Sequence, residues 1–133
     1  MGDVIKKLKV RGLNEDELNL YFDTGSPFTF IRKSVAKRLG GMLSLPKPCE
    51  FGGLGDGKFM SKEIMVVEVK LLDIWCVQEV FVVEDKEIPR GDMLVGHDFM
   101  QRYGIKLDLK KCEIILDREA LISGKIIKKE ALW

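Results

Sequence analysis

The chain has 133 residues, a formal net charge of +1 and 32% charged residues. That length suits one domain, 1–133, able to bury roughly 68–70% of the surface of its unfolded chain. The near-neutral balance offers no general attraction to nucleic acid or to an anionic membrane, and no run of about 18 apolar residues reads as a membrane span.

Taken in order, most of the chain reads as strand. Val4 to Val10 mixes branched residues with lysines, as an exposed or edge strand does. Gly12 to Asp16 is a turn, after which Leu18, Leu20 and Phe22 alternate with Asn19 and Tyr21, the period of a half-buried strand. Phe28 to Ile31 is expected to be the next strand, and Ser34 to Leu39 a short helix closed by Gly40. Gly41 to Pro48 is expected to be loop, because Pro46 and Pro48 interrupt regular structure. Ile64 to Leu72 and Trp75 to Val83 form two long β-branched runs, expected as antiparallel partners about Leu72-Asp73-Ile74. Glu84 to Asp92 is a charged loop. Met93 to Val95 is a short strand, His97 to Tyr103 a helix stopped by Gly104, and Ile105–Leu109 with Cys112–Leu116 a last hairpin. In the tail, Ile126-Ile127 and Ala131-Leu132-Trp133 are expected to add strands.

Three stretches carry chemistry. Leu20-Tyr21-Phe22-Asp23-Thr24-Gly25-Ser26 runs an apolar strand into a tight acidic turn. Gly25 is free to take unusual dihedrals there, and the hydroxyls of Thr24 and Ser26 flank the carboxylate. Glu50 to Phe59 sets Gly52, Gly53, Gly55 and Gly57 between strand-like flanks. A phosphate loop is excluded: Lys58 stands where Gly-x-Gly-x-x-Gly needs its last glycine, and a strand follows instead of a helix. A glycine hairpin able to close over a cleft fits better. The third stretch is Leu94-Val95-Gly96-His97-Asp98, an apolar strand meeting a glycine and turning into helix.

In this order the stretches resemble those of the retropepsins, the retroviral-type single-lobe aspartic proteases, over about residues 4–116, with 117–133 as an extension. The resemblance implies an all-β, homodimeric acid-protease barrel with one or two short helices. It implies Asp23 as the catalytic acid, supported by Thr24, Gly25 and Ser26, with Thr24 hydrogen-bonding across the dimer and Ser26 donating to the Asp23 carboxylate. Phe51, Gly52, Gly53, Leu54, Gly55, Asp56 and Gly57 would form the flap over the substrate. Leu94, Val95 and Gly96 would form the strand behind the catalytic loop, Gly96 admitting a close backbone approach. Two departures stand out: Pro27 and Phe28 replace the second Asp of the retroviral motif, and Gly96-His97-Asp98 replaces Gly-Arg-Asn.

The chemistry needs two carboxyls sharing one proton. Asp73, Asp108 and Asp117 lack a following Thr-Gly, so the second must come from another copy of the chain across a twofold axis. The expected activity is therefore an aspartic endopeptidase acting on extended peptide or protein substrates without cofactor or metal. The competing expectation is a non-catalytic dimerisation or peptide-binding module on the same fold. Other residues have plainer readings. His97, the one histidine, is a polar residue at a helix start with no triad or metal partner; Trp75 is a core anchor and Trp133 an interface anchor. Lys125 to Lys129 is a solvated strand edge. Cys49, Cys76 and Cys112 form no Cys-x-x-Cys pair and read as buried free thiols. With no signal-peptide core in Met1 to Lys6 and no myristoylation motif, the expected location is cytoplasmic. Few Asn and Gln beside many Lys, Arg and Glu lean towards a thermophile.

Overall fold

The structure, a computed structural model, describes residues 3–52 and 57–131, with side chains through residue 125. Its elements in chain order are β1 (Val4–Arg11), β2 (Glu15–Phe22), β3 (Phe30–Arg32), α1 (Lys33–Leu39), β4 (Leu43–Gly52), β5 (Lys58–Leu71) and β6 (Ile74–Val83). They continue with β7 (Met93–Val95), α2 (His97–Arg102), β8 (Lys106–Asp108), β9 (Glu113–Ile115) and α3 (Arg118–Ala131).

Alternation along the strands builds the core. Leu18, Leu20 and Phe22 of β2 point inward with Val4 and Val10 of β1, and the two strands pair antiparallel from Val4–Phe22 to Arg11–Glu15. Met65, Val67, Val69 and Leu71 of β5 face the same core as Ile74, Cys76, Val80 and Val82 of β6. The β5–β6 turn is made by Leu72, at φ 57°, and Asp73.

Six strands close into a barrel in the order β1-β2-β7-β3-β6-β5, β5 returning to β1 through Val10–Val69 and Arg11–Glu68. The length of β5 makes the closure possible: its first half carries β4 on the edge whose second half meets β1. β1 is therefore an edge strand only in part. Helix α1 buries Val35, Ala36 and Leu39 and ends at Gly40, φ 77°, whose N–H donates to the Ala36 carbonyl. Helix α2 ends at Gly104, φ 63°, as its glycine implies.

The structure corrects several expectations. β3 begins at Phe30, not Phe28, because residues 26–29 are occupied in bracing the preceding turn. Residues 43–52 are strand, not loop; β4 lies outermost in the sheet and its register shifts between Ser44 and Cys49. An outer strand with a bulge tolerates prolines that lack a ladder donor. Residues 118–131 are helix, so 125–129 is no strand edge, and among the described residues there are three α-helices rather than one or two. A short apolar run is ambiguous between strand and helix; packing decides here. Leu121 is fully buried, and Gly124 lies so close to Tyr103 that a Cβ would come within 2.5 Å of its ring. Trp75 is half-buried rather than core, with the Arg11 guanidinium 3.9 Å from its ring centre. Of the thiols only Cys76 is buried; Cys49 and Cys112 are half-buried. Trp133 lies outside the described residues.

Candidate active site

Asp23 stands one residue beyond β2 and prolongs the parallel β2–β7 pairing: its N–H donates to the Val95 carbonyl at 2.9 Å. The chain then doubles back, with the Ser26 N–H donating to the Asp23 carbonyl at 3.1 Å and the Gly25 N–H to Asp23 Oδ1 at 2.9 Å. Gly25 is not at positive φ; a Cβ there would sit 3.2 Å from Asp23 Oδ1, so its small size leaves room for the carboxylate. Asp23 is half-buried and Thr24 exposed. The Ser26 hydroxyl corrects an expectation. It donates its single proton to the Phe28 carbonyl at 2.7 Å, and so braces the turn instead of the Asp23 carboxylate.

Strand β7 runs between β2 and β3, which puts Gly96 directly beneath the turn. A Cβ on Gly96 would run into the Phe28 carbonyl, with Phe28 C at 2.6 Å and Ser26 O at 2.7 Å. The start of α2 then supplies donors upward. The His97 N–H donates to Ser26 O at 2.7 Å and the Asp98 N–H to Pro27 O at 3.3 Å. Free N–H groups of a helix's first turn thus hold the carbonyls of the turn. The His97 side chain is exposed.

Asp98 is the residue that sequence reasoning passed over. Its Oδ1 accepts from the Thr29 hydroxyl at 2.7 Å and the Phe99 N–H at 2.8 Å, and Oδ2 accepts from Gln78 Nε2 at 3.1 Å. Thr29 Oγ1 in turn accepts from the Gly96 N–H at 3.1 Å. One carboxylate therefore joins the residue before β3 to β6 and α2 under the Asp23 turn. Because the Gln78 amide turns its NH₂ to that charge, its buried Oε1 has no hydrogen-bond partner among the described residues. A carboxylate in the first turn of a predicted helix, next to a buried glycine, was the available signal.

Above the turn opens a cleft of about 780 Å³, with Asp23, Gly25 and Ser26 on its floor side and Phe51, Gly52, Gly57 and Phe59 of the β4–β5 hairpin facing them. Leu94 and Ile88 also line it, while Val95 and Gly96 are buried behind. Phe51 and Phe59 are register partners whose rings stack at 5.6 Å, and Phe30 meets both edge-on at 5.0 and 5.4 Å. Glu50 and Lys58 form an ion pair across the same hairpin at 3.4 Å. Gly53, Leu54, Gly55 and Asp56 lie outside the described residues. Among the described residues no group of three or more His, Cys, Asp or Glu is placed to hold a metal ion, and no helix is long and apolar enough to cross a membrane.

This arrangement has relatives. The aspartyl protease family model matches residues 7–99, from β1 through the start of α2. The chain belongs to the aspartyl protease family. Its fold is similar to the retroviral protease-like domain of Ddi1 from Leishmania major, at a TM-score of 0.62 and 19% identity over 86% of this chain and 90% of that one. It is equally similar in fold to the EIAV protease complexed with the inhibitor HBY-793, at a TM-score of 0.62 and 22% identity over 80% of this chain and 93% of that one. No curated protein matches it. The family and the retropepsin-like, mostly-β fold are thus as the motifs implied.

Proposed function

We propose that the chain is an aspartic endopeptidase that works as a homodimer. The observation that carries this is the Asp23 carboxyl, tied by its own turn and opening onto a cleft large enough for an extended peptide. Membership of the aspartyl protease family supports the reaction class. One Asp-Thr-Gly per chain supports the dimer, because the reaction needs a second carboxyl beside the first.

In the dimer, two Asp23 side chains share one proton. The ionised one takes a proton from a water, whose oxygen attacks the scissile carbonyl carbon. The protonated one gives its proton to the carbonyl oxygen, leaving a tetrahedral diol. The carboxyl now protonated then gives its proton to the amide nitrogen while the other takes a proton from a diol hydroxyl. The C–N bond thus breaks to an acid and an amine, and the pair again holds one proton. The exposed Thr24 hydroxyl is available to meet its mate across the axis. The β4–β5 hairpin acts as the flap over the bound strand. The cytoplasm is the proposed location, given the free thiols.

The test is cleavage of an unstructured protein by the wild type and by Asp23→Asn, with sedimentation on a dilution series. Activity lost in Asp23→Asn and falling with dimer dissociation is expected. An uncleaved substrate, with peptide still bound, would favour the non-catalytic module instead. A fully active monomer would overturn the shared-proton scheme.

A further inference from the structure

We propose that Phe28 is a specificity-determining residue, selecting extended peptides that carry an aromatic side chain at the position meeting it in the cleft. The proposal rests on the proteolytic reading above and names the substrate that the site prefers.

Phe28 follows Asp23 by five residues and lines the same cleft. Its ring is held edge-on by Phe51 at 5.6 Å and by Phe81 at 5.9 Å, yet the residue remains 41% exposed. Phe30, two residues on, is 6% exposed and belongs to the packed cluster beneath. The difference identifies Phe28 as the ring with surface left to offer. A side chain entering there meets Phe28, Phe51, Phe59, Ile88 and Leu94. Three polar groups nearby are already engaged: the Ser26 hydroxyl is spent on the Phe28 carbonyl, and Glu50 pairs with Lys58. Exposed Lys86 and half-buried Glu87 line the same cleft side by side with opposite charges, so their pulls on an acidic or a basic side chain largely offset.

An incoming charge would thus lose water while meeting one like and one opposite charge. An incoming ring would bury apolar area and find the edge-to-face geometry that aromatic pairs favour. A twofold dimer presents Phe28 twice, and an extended substrate returns a side chain to the same face every second residue. Aromatic enrichment is therefore expected at two positions, one on each side of the cut bond.

The experiment digests a proteome-derived peptide library with the full-length wild type, Phe28→Ala and Phe28→Leu, each checked for an unchanged melting temperature. A Phe-containing peptide and its Ala counterpart are then titrated onto Asp23→Asn and onto Asp23→Asn/Phe28→Ala. Expected are aromatic enrichment by the wild type, a loss of about tenfold in kcat/KM for aromatic peptides in Phe28→Ala, partial retention in Phe28→Leu, and Ala-containing peptides changed far less. Cleavage by the wild type without that enrichment, or enrichment that survives Phe28→Ala, overturns this proposal and leaves the protease reading standing. If nothing is cleaved but Phe28-dependent preference for the Phe peptide persists in binding, the protease reading falls and the groove selectivity stands. Absence of both overturns this proposal.

Discussion

The two walls of the cleft are built on opposite terms. On one side, residues 23–29 are braced from below: Val95, Gly96, His97 and Asp98 each contact or hydrogen-bond them, and the Ser26 hydroxyl adds a link from within. On the other, the β4–β5 hairpin stands at the end of the sheet, and among the described residues nothing lies within 4 Å of where a Cβ on Gly52 or Gly57 would be. A shared-proton pair demands carboxyls fixed to a fraction of an ångström. Admission of a polypeptide demands an arm with room around it. The aromatic cluster joins the two, since Phe51 and Phe59 of the hairpin pack on Phe28 and Phe30 just beyond the turn.

Glycine substitutions probe that contrast most strongly. Gly96→Ala should cost more than about 3 kcal/mol, the scale of severe core defects, or prevent folding, because its methyl would have to occupy the Phe28 carbonyl. Equilibrium denaturation, or soluble yield if the variant does not fold, measures it. The next largest effect is expected for Asp98→Ala, which leaves the buried Thr29 hydroxyl and Phe99 N–H without their acceptor and Gln78 Nε2 with only the Glu79 carbonyl. At 1–3 kcal/mol for each stranded group, roughly 3 kcal/mol is expected, read from the denaturant midpoint. An Asp98→Ala variant as stable as the wild type would show that the lower wall is not held as described.

Tyr103 sharpens the comparison by probing the main core, away from the cleft. Its hydroxyl donates to the Val77 carbonyl at 2.5 Å, and burial pushes its pKa up to about 12 from 10.0. The neutral form is the one the fold favours. Its contribution is therefore complete below pH 10 and is lost as the pH rises towards 12. Cys76, raised by burial to about 11 from 9.0, adds a similar loss from pH 9 upward. Tyr103→Phe should cost about 1 kcal/mol at neutral pH and flatten the part of the alkaline limb above pH 10, leaving the Cys76 part unchanged.

Ser26→Ala should be milder at the turn, removing one hydrogen bond worth about 1 kcal/mol in stability. Because that hydroxyl serves the Phe28 carbonyl, the acidic limb of the kcat/KM profile should stay in place. An acidic limb displaced upward would mean that the hydroxyl turns to Asp23 in the working dimer. Smallest of all, Gly52→Ala should change stability by less than about 0.5 kcal/mol, since open space surrounds it and its φ is not positive. A large loss there would erase the distinction between the walls.

Much of this was legible in local pattern. Alternation from Leu18 to Phe22 marks the strand feeding Asp23, and the stops at Gly40 and Gly104 follow from a backbone that needs positive φ. Such features depend on neighbours in the chain, and short-range sterics and periodicity are encoded locally.

Other features depend on what the fold brings close. The Thr29–Asp98 bond spans 69 residues and the Gln78–Asp98 bond 20, so no window of sequence contains them together. The direction of the Ser26 hydroxyl was a choice between two nearby acceptors, which only the path of the chain through residue 28 resolves. Likewise β4 became strand despite Pro46 and Pro48 because an outer position in the sheet does not use every donor. The apolar tail became helix because Gly124 could lie against Tyr103. Sequence by itself determined which residues had to be inside and where the chain had to turn. Tertiary structure decided which polar groups found partners, because hydrogen bonds require ångström-scale proximity that a pattern of residue types does not specify.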